Sequence, residues 1–374
     1  GGGGGFVGAS GIDLIDNNPD RPDRTVDIDF SGAEFDVAYV DEDNPENSGV
    51  SEYWVVGDEE SSFDFTGIEA ETDAVIQDVW VNPDPTIGVD EGNLNGSIDE
   101  PFLTIDYALS LVYSTEDSPV TIHLVSGTYS PSSNNETFPI NLISNVFLSG
   151  AGQENSIIDA QQTGRVIYME ECHNSSISGV TVRGGNLDSW WYGGAGIYMK
   201  NSSVNISLLT LTENTAETGA GMWIQASSPI LTDVTISNNT AEAYDPDWDD
   251  YSGYAGGMYV KDTSHVILNN VTLRDNSAIS SSAGIYSWYS TLIFNDCLLE
   301  NNVAIEPGDW DDSYGGLIVS YYGDITINNC SVNDNESEWL GVITNYYGPV
   351  SITDSDFNNN TKLLTAYGAD VSIT

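Results

Sequence analysis

The stretch that decides the fold is Ile206-Ser-Leu-Leu209-Thr-Leu211-Thr-Glu-Asn214-Thr-Ala216, because its pattern returns seven times between Val180 and Thr374. Counted eight places before the marker Asn (Gly185 in the first copy), the residues are Ile177, Ile206, Leu231, Leu268, Phe294, Ile327 and Ile352. Three places before it stand Val182, Leu211, Ile236, Leu273, Leu299, Val332 and Phe357. A third column, five places before it, runs Val180, Leu209, Val234, Val271, Cys297, Cys330 and Ser355. The markers themselves are Asn214, Asn239, Asn276, Asn302, Asn335 and Asn360.

Apolar residues two apart have the strand period, since successive strand side chains face opposite ways. Tight-turn pairs separate the two short runs of each copy, as in Ser178-Gly179, Asn269-Asn270, Asn295-Asp296 and Asn328-Asn329; these types accept left-handed dihedrals. A further run supplies Gly-Ile-Tyr at 196–198, Gly-Met-Trp at 221–223, Gly-Met-Tyr at 257–259 and Gly-Ile-Tyr at 284–286. Three short strands per unit, with no helical period between them, predict an all-β solenoid, a parallel β-helix. Copies of the Ile206 position lie 21 to 37 residues apart, as expected where loops leave a solenoid at one corner. Stacked Asn amides would then bond along the axis. Leucine-rich repeats and propeller blades need frames that are not present.

Outward from the ladder, Ile105, Ala108, Leu109 and Val112 fall at helical spacing after Thr104, a candidate N-cap. A helix there is placed to cover the open end of the first coil, as terminal caps must. Residues 1–90 read as a small β-rich module or extra coils, with alternating runs at Thr25–Phe30, Glu52–Val56, Ser62–Phe65 and Ala74–Trp80. The division is therefore 1–90, a linker and capping helix over 91–120, and the solenoid over 121–374.

Glu100-Pro-Phe-Leu-Thr-Ile-Asp-Tyr-Ala-Leu109, Val125-Ser-Gly-Thr-Tyr129, Phe138-Pro-Ile140, Gly193-Gly-Ala-Gly-Ile-Tyr198 and Asn214-Thr-Ala216 resemble the phrases of secreted bacterial proteins with right-handed, pectate-lyase-like parallel β-helix repeats. The resemblance covers about 97–374. It implies a right-handed coil, secretion to the extracellular space or cell surface, and often membership in a very large surface protein. It carries no activity by itself, because this fold hosts many functions.

The 374 residues carry 58 Asp and Glu against 8 Lys and Arg, a formal charge of −50. Phosphate binding needs clustered cations, so nucleic acid is excluded as a partner. No long apolar run calls for membrane insertion. The sequence starts at Gly1 with no visible leader, which reads as a processed chain or a piece of a longer one. Cys297 and Cys330 share a column on adjacent coils and are expected as buried thiols; Cys172 has no obvious mate.

Two outward features bear on function. The first is a line of aromatics at Tyr198, Trp223, Tyr259 and Tyr286, joined by Trp288-Tyr289, Tyr321-Tyr322 and Tyr346-Tyr347. Stacked rings brace a β surface, and an exposed aromatic strip also suits a glycan or a neighbouring subunit. The second is the acidic corner insertions, where Asp245, Asp247, Asp249, Asp309 and Asp311 offer hard oxygens to a structural Ca²⁺, though without the full loop pattern. For catalysis, a β-helix lyase needs a cationic base, and Arg165, Arg183, Arg274, Lys200 and Lys261 are scattered. A carboxylate pair among Asp249, Asp250, Asp311 and Asp312 could serve a glycosidase. His123, His173 and His265 form no triad.

The leading expectation is a secreted, non-enzymatic structural module of a cell-surface, matrix or filament-forming protein, whose partners are further copies or coils of itself. Val371-Ser-Ile-Thr374 repeats Val350-Ser-Ile-Thr353 with no polar cap after it, so the solenoid is expected to continue or to dock. The alternatives are a polysaccharide lyase or glycoside hydrolase, and an adhesin that binds extracellular glycans without turnover.

Overall fold

The computed structural model describes residues 78–374 apart from 94, 188–192, 246–249, 305–315 and 338–339, together with five short strands nearer the N-terminus. The chain divides into two compact units, Gly1–Ala74 and Val75–Thr374. In the first, Phe6–Val7 pairs antiparallel with Gly11–Ile12, and Arg24–Asp29, Asp36–Asp41 and Tyr53–Trp54 form a three-stranded antiparallel sheet. The runs expected at 62–65 and 74–77 lie outside the described residues.

The second unit is a right-handed parallel β-helix. A long sheet holds the two runs of every repeat, and a nine-stranded sheet holds the Gly-Ile-Tyr run. The register reproduces the sequence columns coil by coil. Ile177 pairs with Ile206, Ile206 with Leu231, Leu231 with Leu268, Leu268 with Phe294, and so on through Ile327 and Ile352 to Ile373. Those residues are buried down to Ile352. Ile373 and Val371, on the last coil, are exposed at the positions that Ile352 and Val350 fill one coil earlier. One element was not expected. A fourth sheet of five two-residue strands, Asn186–Leu187, Thr215–Ala216, Thr240–Ala241, Ser277–Ala278 and Val303–Ala304, follows the marker position. Two residues are too few to show a period of two, which is why the pattern alone does not reveal them.

Corners are closed by side chains that bond along the axis. Asn214 Oδ1 accepts one donor from the coil before, Gly185 N, and each later marker Asn takes two: the amide nitrogens of Asn214, both backbone and side chain, reach Asn239 Oδ1 at 3.2 and 2.9 Å. The same pair of bonds links Asn239 to Asn276, Asn276 to Asn302, Asn302 to Asn335 and Asn335 to Asn360. A second corner uses serines: Ser202, Ser227, Ser264 and Ser290 each accept the backbone N–H of the coil before. At a third, Cys330 Sγ accepts from Cys297 N, and Ser355 Oγ from Cys330 N. The three cysteines are buried free thiols.

The helix spans Ile105–Leu111, with Thr104 as its N-cap accepting from Tyr107 N at 3.2 Å. Ile105, Ala108 and Leu109 are buried against the first coils. The buried Glu136 reaches back to receive the N–H groups of Ile105 and Asp106 at 2.8 and 3.0 Å, satisfying donors that a helix start leaves open. Burial raises its carboxyl to about 7, with those two N–H groups and Asn134 pulling the other way. The solenoid starts before this helix: Val79–Val81 adds to the long sheet beside Val120–Leu124.

A candidate carbohydrate face built from stacked aromatic rings

The strands of the nine-stranded sheet keep one register from coil to coil. Their second position reads Tyr168, Tyr198, Trp223, Tyr259 and Tyr286, all half-buried, then Val319 and Thr344, both fully buried, and Thr365. Two residues on, the last strand position reads Glu170, Lys200, Gln225 and Lys261, then Trp288, Tyr321, Tyr346 and Tyr367. The aromatic strip thus jogs sideways at one coil, the one that holds both Tyr286 and Trp288.

Ring centroids of Tyr168, Tyr198, Trp223, Tyr259 and Tyr286 lie 4.6 to 6.2 Å apart, with neighbouring planes within 27°. The stack continues from Tyr286 to Tyr321 at 5.8 Å, then to Tyr346 and Tyr367 at 4.5 and 4.9 Å. Beside this second half runs another file, Tyr289, Tyr322 and Tyr347, with centroids 4.8 and 5.1 Å apart. Trp288 meets Tyr289 and Tyr322 at 66° and 65°, so the two files are inclined to each other.

The outer file sits on strained backbone. Its residues open the turn after each strand, where the chain takes a left-handed conformation on every coil. Glu171, Asn201, Ala226, Asp262 and Gly368 fill that position on the other coils, and Tyr289, Tyr322 and Tyr347 hold φ of 51°, 55° and 64°. A bulky residue there is a genuine outlier costing on the order of 1 kcal/mol or more. The rings are also among the more exposed apolar groups, at 48, 45 and 59%. Strained and exposed side chains of this kind are characteristic of functional sites.

The first half differs in company and in burial. Arg165 lies 4.6 Å over Tyr198 and 5.6 Å over Tyr168, its guanidinium donating to the carbonyls of Gly193 and Gly194 at 2.9 and 3.0 Å. Burial lowers its pKa. Glu170 accepts from both Lys200 and the Tyr168 hydroxyl. That bonding raises Lys200 and lowers Glu170, and it raises Tyr168 with help from burial. Lys261 Nζ stands 5.2 Å over Trp223 and 3.6 Å from Asp262. Lys200 is paired with Glu170 and Lys261 stands beside Asp262, while Arg165 spends its donors on backbone carbonyls.

All ten aromatic residues singled out from the sequence lie on this one face. Tyr168 was missed, and Arg165, weighed from the sequence only as a scattered cation, stands over Tyr168 and Tyr198. The run Ile167-Tyr-Met169 does repeat Ile197-Tyr-Met199, but Arg165 and Val166 stand where the later coil has Ala195 and Gly196. The acidic positions fare differently. Asp245 pairs with Asp250 in the antiparallel hairpin Ala243–Asp245 and Asp250–Ser252, while Asp247, Asp249, Asp309 and Asp311 lie outside the described residues. The insertions that hold them follow equivalent strands, Thr240–Ala241 and Val303–Ala304. Among the described residues no group of three or more His, Cys, Asp or Glu could hold a metal ion, and no helix is long and apolar enough to cross a membrane.

Fold and face together define a right-handed parallel β-helix with an aromatic outer sheet. The chain belongs to the family described as "Protein of unknown function (DUF1565)", which matches residues 86–339. Among solved structures it is similar to the pectate lyase Pel9A, at 16% identity and a TM-score of 0.50, over 79% of this chain and 78% of that one. It also resembles ORF18 of Geobacillus virus E2, at 12% identity and a TM-score of 0.42, over 71% of this chain and 56% of that one. An alginate lyase from Paenibacillus sp. str. FPU-7 gives 12% and 0.35, over 72% and 97%. At these identities the likeness is one of fold. No curated protein matches the sequence.

Proposed function

We propose that the chain is an extracellular glycan-binding β-helix whose binding face is the double aromatic file of Trp288, Tyr321, Tyr346 and Tyr367 with Tyr289, Tyr322 and Tyr347. The observation that carries this reading is that outer file: three tyrosines held on left-handed backbone, where Asn, Asp or Gly would sit without strain, and exposed there. A tyrosine offers an apolar ring and a hydroxyl together, which suits the alternating C–H and O–H surface of a sugar. The rungs recur at the coil rise of about 4.8 Å, the scale on which an extended β-linked glycan repeats.

The ligand class is a neutral polysaccharide. A formal charge of −50 repels polyuronates, and the cations that meet the strip, Arg165, Lys200 and Lys261, all lie on its other half. The fold shared with a pectate lyase supports carbohydrate as the ligand class. Binding without turnover is favoured over cleavage because Lys200 and Glu170 are committed to each other and Arg165 to backbone carbonyls, rather than held ready for proton transfer. The test is binding of the whole chain to a panel of neutral and uronic-acid polysaccharides, with products monitored in parallel. Retention by a neutral glycan that Tyr322→Ala weakens about tenfold supports the reading. Failure to bind any glycan, or binding indifferent to Tyr322, sinks it, and new reducing ends or double bonds would make the protein an enzyme instead.

A further inference from the structure

Beneath the aromatic file lies an inward column that reads Met199, Ile224 and Val260, then Ser287, Ser320 and Asn345, then Ala366. Ser287, Ser320 and Asn345 are each 0% exposed. Ser287 Oγ, Ser320 Oγ and Asn345 Oδ1 have no bonding partner in the protein, although Asn345 Nδ2 is fully used on the carbonyls of Gly323 and Gly348 at 3.0 and 2.8 Å. A buried polar atom left unpartnered costs about 1–3 kcal/mol, and three in a row on successive coils would be a heavy penalty.

Spacing supplies the remedy. Register partners on neighbouring parallel strands are about 4.8 Å apart, too far for a direct oxygen–oxygen hydrogen bond of about 2.8 Å. One water set to the side of each gap can reach both neighbours, and buried waters characteristically satisfy such groups. Val260 closes the column on one side with an apolar side chain, and Ala366 offers no polar atom on the other.

We propose that the lumen holds a file of two structural waters, one bridging Ser287 to Ser320 and one bridging Ser320 to Asn345, directly under Trp288, Tyr321 and Tyr346. The waters fix the three strand ends that lead into Trp288-Tyr289, Tyr321-Tyr322 and Tyr346-Tyr347, so the hydrated file is a support for that face. Ser320 is the shared partner, and its removal breaks both bridges. A high-resolution crystal structure of the whole chain, with thermal melting of the wild type and Ser320→Ala, tests this. The expected result is two ordered waters at the stated bridges and a Tm about 2 °C lower for Ser320→Ala. If the serine hydroxyls instead bond to carbonyls with no water between them, the proposal falls. It falls equally if Ser320→Ala melts at the same or a higher temperature, the outcome for a hydroxyl buried without a partner.

Discussion

The two halves of the aromatic strip use one backbone position for opposite ends. In the first four coils from Glu170 to Lys261, the last strand residue is charged or polar and its partners are other protein groups. In the next four it is Trp288, Tyr321, Tyr346 or Tyr367, with a second ring beside it on three of them. In the first half the rings are half-buried between neighbours and cations. The second half presents rings on strained backbone to solvent. Rings are stacked face to face in both halves, but only the second half adds a second, inclined file, whose edges and hydroxyls are exposed. Identical strand geometry therefore carries a single file of rings in one place and two files in the other.

Four experiments break or sharpen this contrast. The largest effect should come from a control that touches neither half. Burial raises the Glu136 carboxyl from 4.5 to about 7, so the folded chain prefers it protonated. Its contribution is full below pH 4.5 and is lost as pH rises through 7. Stability should then fall by about 3 kcal/mol between those limits, and Glu136→Gln should flatten the slope in denaturant titrations. Glycan binding should stay level across the same range. If binding followed stability, the face would not be independent of the cap.

Next comes the triple variant Tyr289→Asn, Tyr322→Asn and Tyr347→Asn. Binding is expected to weaken at least 100-fold by calorimetry, about 2.7 kcal/mol, while Tm moves by less than about 3 °C. Relief of left-handed strain offsets the lost ring contacts. A collapse in Tm would assign these rings to bracing instead. Tyr259→Ala, in the first half, should do the reverse. It removes a half-buried ring stacked between Trp223 and Tyr286, costing about 2 kcal/mol of stability with affinity unchanged within twofold. The smallest effect belongs to Lys261→Gln, which forfeits a cation over Trp223 worth about 0.5 kcal/mol and should be read from the difference in urea midpoints.

Much of the scaffold was legible because it repeats. The Ile206, Leu211 and Asn214 columns kept their residue types across coils, and Thr104 with Ile105, Ala108 and Leu109 carried a helix start. The aromatic face was legible as a set of positions but not as two unlike halves. Whether Tyr322 braces or binds depends on φ and on the angle between ring planes, and neither leaves a mark in residue order. The serine ladder through Ser202, Ser227, Ser264 and Ser290 was hidden for a different reason. Serine is common throughout this chain, so a column of it does not stand out until the register is known.

The corner ladders also bear on how such a chain changes over generations. Asn239 completes Asn214, Ser227 completes Ser202 and Cys330 completes Cys297, and in each case the acceptor comes from the following coil. Within the Asn ladder, a duplicated or deleted segment one whole coil long would leave each donor facing another Asn Oδ1, so the number of coils is a quantity that replication errors can adjust without redesigning that corner. Reach along a ligand can then be lengthened or shortened in steps of one rung.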